Sequence, residues 1–121
     1  MEAVVVLSIR HDGDVTILGN FGRFMNDPRY VDAAAEVVEL LDQGERNFIM
    51  EMSGVHETGG SFLGVLMTMT REIRRRGGEV VMARVGGHVG AYLAEMQLDD
   101  HWDVFPTIEE AKRFYQRGEN E

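Results

Sequence analysis

Four histidines, His11, His56, His88 and His101, are scattered along the 121 residues. No two have the i, i+4 spacing that would aim a pair of imidazoles from one helix face at a metal ion. Cysteine is absent, which removes disulfides, thiolate nucleophiles and cysteine-held zinc together. His56 and Ser61 lie close enough in sequence to suggest the base and nucleophile of a hydrolase. Such a pair needs a third group to orient the imidazole, and no carboxylate stands in an evident place for it. Gly59-Gly60-Ser61-Phe62-Leu63-Gly64 has neither the Gly-Lys-Ser/Thr ending of a nucleotide phosphate loop nor the Gly-x-Gly-x-x-Gly spacing of a dinucleotide site. The expectation is a protein with no catalytic residue, no metal and no cofactor.

Ser61 remains the residue of most interest. It sits in the run MSGVHETGGSFLGVLM, residues 52–67, where a buried strand passes through a glycine-rich loop into a helix expected to open at Ser61. The unsatisfied N–H groups and the dipole at a helix start favour an anion there. A phosphoryl group on Ser61 would bring about −1.5 to −2 charges into that field, enough to turn off a docking surface. The plainer alternative is that Ser61 only caps the helix while the glycines turn the chain. Leu63 and Met67 fall beside the main apolar stripe of this helix. They either form part of a docking face, where a flexible Met adapts to a partner, or pack under the neighbouring loop.

The elements that must position Ser61 follow from hydrophobic periodicity. Residues 3–9 and 15–19 read as strands joined by His11-Asp12-Gly13-Asp14 turn chemistry, an antiparallel hairpin. Residues 20–26 read as a loop. Asp27-Pro28 starts a helix, with Val31, Ala34, Ala35, Val38 and Leu41 as its buried stripe and Gly44 as its end. Residues 48–52 form a strand covered on both faces, and residues 61–76 a helix with Phe62, Val65, Leu66, Met69 and Ile73 inward. That helix carries Arg74, Arg75 and Arg76 in its last turn and stops at Gly77-Gly78. A strand at 79–85 follows, then a helix at 86–96 burying Val89, Tyr92, Leu93 and Met96, and a short strand at 102–105. The final helix opens after Pro106, with Thr107 and Glu110 at capping-box spacing. This β-β-α-β-α-β-α-β-α order predicts an α/β fold: an N-terminal hairpin, then βα units, making one mixed sheet with helices packed on it.

Composition agrees with one globular domain, expected over residues 1–117 with residues 118–121 as a frayed tail. The formal net charge is −9, a field that repels nucleic-acid backbones and anionic lipid. Arg71, Arg74, Arg75 and Arg76 form the only basic cluster and read as a solvated helix end. No apolar run nears the roughly 20 residues that span a bilayer. The chain is expected to be cytoplasmic, with no nucleic-acid or membrane partner.

Four segments, in order and at matching spacing, resemble the STAS domains of bacterial anti-sigma factor antagonists. Phe48-Ile49-Met50-Glu51-Met52-Ser53-Gly54-Val55 is similar to that family's strand ending in an LDLSGV-like run. Ser61-Phe62-Leu63-Gly64-Val65-Leu66 is similar to its SGLGVL helix start. Arg75-Arg76-Gly77-Gly78-Glu79-Val80-Val81 resembles its RGG-x-LVL segment. Leu98-Asp99-Asp100 with Val104-Phe105-Pro106-Thr107-Ile108-Glu109-Glu110-Ala111 resembles its ending.

The resemblance implies a STAS-like mixed sheet and a partner that is an anti-sigma factor or GHKL-type serine kinase. It also implies that phosphorylation of the serine, here Ser61, releases that partner. The implied docking surface comprises Asn20, Gly22, Glu57, Thr58, Gly59, Gly60, Phe62, Leu63 and Met67. Gly59 stands where the family often has Asp, and Phe62 where it has Gly. Those departures favour a second reading, a STAS scaffold or small-ligand sensor that is not phosphorylated.

Overall fold

The computed structural model describes residues 7–24, 32–56, 58 and 60–119. Its elements are β1 (Ser8–Asp12), β2 (Val15–Gly19), α1 (Phe21–Phe24), α2 (Asp32–Asp42), β3 (Asn47–Glu51), α3 (Gly60–Arg75), β4 (Glu79–Ala83), α4 (Gly87–Glu95), β5 (Val104–Phe105) and α5 (Ile108–Glu119). The strands form one sheet in the order β1-β2-β3-β4-β5. β1 pairs antiparallel to β2, and the remaining pairs are parallel. The expected hairpin followed by βα units is therefore the fold.

Side-chain alternation divides the three central strands between two cores. Leu18, Phe48, Met50, Val80 and Met82 face the layer built by α2, α3 and α4, together with Val37, Leu41, Leu66, Met69 and Ile73. Val15, Ile17, Ile49, Val81 and Ala83 face α5, where Ala111 and Tyr115 cover them. Each large apolar side chain so buried contributes roughly 1.5–3 kcal/mol. Coverage on both faces explains why β3 reads as a continuous apolar run.

The five positions expected to face inward on α3 are all buried, and Thr70 joins them. Thr70 is satisfied by the indole of Trp102, whose Nε1 donates to Thr70 Oγ1 at 2.9 Å. Three helices end in the same way. Beyond α2, α3 and α4, a residue with positive φ (Gly44, Gly77 and Gln97) lets the next amide turn back onto the helix. The N–H of Glu45, Gly78 and Leu98 donates to Leu40 O, Ile73 O and Leu93 O respectively, the paired-bond ending that satisfies the last carbonyls. At the start of α5 the Glu110 N–H donates to Thr107 Oγ1 at 3.1 Å, so Thr107 caps as expected.

Several expected boundaries move. His11 and Asp12 belong to β1, paired with Thr16 and Val15, which leaves only Gly13 and Asp14 in the turn. As an edge strand β1 is mostly exposed, so it carries little of the apolar signal that marks a strand. The segment expected to be all loop after β2 contains α1. The buried stripe of α2 is Ala33, Val37, Leu40 and Leu41, while Ala35 is exposed. Alanines do not choose a face, and the observed rotation puts the longer Val and Leu side chains inward. Met96 is 49% exposed because α4 ends one residue before it. The β4 strand stops at Ala83, and α5 runs through Gly118 and Glu119, which were expected to fray. The expected helix start at Asp27-Pro28, Val31 and residues 3–6 lie outside the described residues.

Candidate protein-docking site

The chain leaves β3 at Glu51, with Met52 still buried, and turns at Ser53-Gly54. Gly54 has φ +82, a conformation L side chains rarely adopt, and the Val55 N–H closes the turn onto Met52 O at 3.3 Å. Val55 is buried, His56 is exposed and Thr58 is partly buried. α3 then opens at Gly60, one residue earlier than expected, so Ser61 is its second residue and not its cap. Ser61 is exposed. The first turn of α3 holds no acidic residue of its own, so its own sequence adds no carboxylate to the positive end of the helix dipole.

Phe62 is the correction within the expected surface. It is only 3% exposed and belongs to the core, so it anchors the first turn of α3 and cannot be a contact residue. Leu63 and Met67 are partly buried against that core, which leaves each with an outward portion. Glu57 and Gly59 lie outside the described residues.

The other half of the expected surface comes from the end of β2. Asn20 is exposed with φ +73, and it turns the chain into α1, where Phe21 is fully buried. Gly22 then passes so close to the turn after β3 that a Cβ on it would stand 2.2 Å from Gly54 O. The two segments expected to form one surface therefore meet backbone to backbone. Sequence spacing did not reveal this contact; a glycine between Phe21 and Arg23 was its only trace.

Among the described residues His56 has no hydrogen bond or ion pair to a carboxylate. No group of three metal-ligating side chains gathers among the described residues. The basic cluster is largely occupied. Arg74 Nε pairs with Glu79 at 2.8 Å and its guanidinium donates to His101 O, Arg75 pairs with Glu72, and Arg76 with Asp42. Burial and then the Arg74 charge hold the His101 imidazole below its usual range, against the opposing pull of Glu79.

The model of the STAS domain family matches residues 30–111, which is most of the chain, and this protein belongs to the STAS domain family. Its fold is that of the STAS anti-sigma factor antagonists. A STAS-domain anti-sigma-factor antagonist from Planctomyces limnophilus superposes with TM-score 0.73 at 18% identity, covering 87% of this chain and 93% of that one. The stressosome, described as a signal integration and transduction hub, contains a chain that superposes with TM-score 0.79 at 14% identity, covering 91% and 96%. A serine-to-glutamate variant of RsbS from Moorella thermoacetica superposes with TM-score 0.68 at 17% identity, covering 88% and 97%. No curated protein matches the chain closely enough to count as a relative. No described helix is long and apolar enough to cross a membrane.

Proposed function

We propose that this chain is a cytoplasmic, non-catalytic partner-switching regulator that binds an anti-sigma factor or related GHKL-type serine kinase and is released by phosphorylation of Ser61. One observation carries the reading: an exposed serine in the first turn of a 16-residue helix, beside the place where α1 and the β3–α3 turn are locked together at Gly22 and Gly54. Gly22 and Gly54 contribute bare backbone there, and the outward portions of Leu63 and Met67 lie on the same helix as Ser61. The surface suits apolar docking while Ser61 is unmodified. A phosphoryl group adds charge at its centre, to be desolvated against the partner and repelled by any carboxylate there. The description of the Planctomyces relative as an anti-sigma-factor antagonist agrees with this class of partner.

The test is to mix the purified chain with a purified GHKL-type serine kinase and ATP. Intact-mass analysis should show a single phosphate on Ser61, and the complex should dissociate as it accumulates. A stable complex with no phosphate incorporated would leave the docking role and remove the switch.

A further inference from the structure

A second feature lies on the opposite face of the sheet, the one α5 covers. The parallel strands β2, β3 and β4 end side by side, and at their carboxyl ends is a pocket of about 200 Å³ whose walls include Ser8, Arg10, Asn20, Glu51, Ser53 and Arg84. Binding residues collect on the loops that leave a rigid scaffold, and Asn20, Ser53 and Arg84 each lie one or two residues past the end of a strand. We propose that this pocket binds a small phosphate-type dianion.

Two guanidiniums line the pocket against one carboxylate. Arg10 makes no ion pair among the described residues. Arg84 Nε stands 3.5 Å from Glu51 Oε2, a long contact that leaves most of its donors unused. Glu51 is itself engaged, accepting a 2.8 Å hydrogen bond from Ser53 Oγ. Two arginines in one small pocket repel each other unless an anion lies between them, and a planar donor fork matches a phosphate's oxygens.

Arg84 also carries a backbone irregularity. Its φ is +60, the left-handed region that costs a non-glycine residue roughly 1–2 kcal/mol, and it directly follows β4. Unfavourable backbone of this kind collects at binding sites. The volume limits the ligand. It is smaller than the roughly 300–1,000 Å³ of drug-sized sites and matches inorganic phosphate or the phosphate end of a short monoester. Ser61 lies on α3 in the other layer and is not part of the pocket wall, while Asn20 borders both the pocket and the proposed docking surface.

The experiment is calorimetric titration of the full chain with inorganic phosphate and, separately, with glycerol phosphate, accompanied by amide NMR shifts. Saturable binding is expected, with shifts centred on Asn20, Ser53 and Arg84. Arg10→Gln and Arg84→Gln should each weaken it about tenfold, and Arg75→Gln, outside the pocket, should leave it unchanged. Glu51→Gln removes the competing charge and should tighten binding several-fold, a gain that misfolding cannot imitate. Tighter binding of glycerol phosphate identifies an organic phosphate as the occupant, and equal binding identifies the free ion. No saturable binding of either, or an affinity that Glu51→Gln does not raise, would overturn the proposal.

Discussion

Gly22 and Gly54 approach each other so closely that a side chain on the first would strike the carbonyl oxygen of the second, at 2.2 Å. The obstacle is backbone, so it cannot rotate away as a flexible side chain would. Gly22→Ala is expected to separate α1 from the β3–α3 turn and lower stability by about 1–3 kcal/mol, read as a lower urea midpoint at unchanged slope. Gly64→Ala is the matched control. Gly64 lies exposed within α3 with nothing near its Cβ position, so that change should raise stability by roughly 0.5–1 kcal/mol. If both variants shift the midpoint the same way, the close approach does not constrain the fold.

Ser61→Asp separates charge from folding. An acidic side chain in the first turn of a helix is stabilising by about 0.3–1 kcal/mol, so this variant should melt at or slightly above the wild-type temperature. On the proposed function it should nevertheless lose most of its affinity for the partner kinase, while Ser61→Ala keeps it. Equal affinities for the two variants in a titration would show that charge at this position does not govern binding.

The fold was legible where burial leaves a periodic trace. The α3 stripe from Phe62 to Ile73 and the apolar β3 run are dictated by faces that must be covered. Legibility failed where burial is one-sided or where several faces would serve. The edge strand β1 shows little of its pairing in its composition, and the alanines of α2 permit two rotations that only packing of Val37, Leu40 and Leu41 decides. For the candidate site, the sequence marked Ser61 and both flanking loops. Helical periodicity marked Phe62 as inward while the family resemblance put it on the docking surface, and its burial decides for the core. Arg10, Glu51 and Arg84 are far apart in the chain, and only sheet registration brings them to one pocket.

Gln97 holds the left-handed position beyond α4 with φ +59, the place that glycines fill beyond α2 and α3. Its backbone is fixed there by hydrogen bonds from Gln97 N–H to Ala94 O and from Leu98 N–H to Leu93 O. Removing the side chain removes the steric penalty of that conformation, and Gln97 is exposed, so no packing is lost. Gln97→Gly should therefore raise stability by about 1 kcal/mol, against the usual direction for glycine substitutions. A lower melting temperature would show that the side chain stabilises the turn by some other route.

Tyr115 ties α5 to the sheet through its hydroxyl, which accepts from Phe48 N–H at 3.2 Å and lies 2.5 Å from Phe48 O and 2.9 Å from Glu79 O, the carbonyls it can donate to. Burial pushes its ionisation well above the usual phenol range, and the bond to Phe48 opposes that only in part. Because the folded-state value is raised, the neutral phenol's contribution is fully present below the unfolded value of about 10. It is lost as the pH rises from there through the folded value. Tyr115→Phe should cost about 0.5–1.5 kcal/mol near neutral pH by removing the hydroxyl's bonds to the β3 and β4 backbone, and should flatten the alkaline decline in stability. Lys112, which the hydrogen bond to Asp12 holds above its usual range, titrates in both proteins, so the difference between their urea midpoints from pH 8 to 11 isolates Tyr115. A constant difference across that range would mean that the phenol ionises as freely in the folded chain as in the unfolded one.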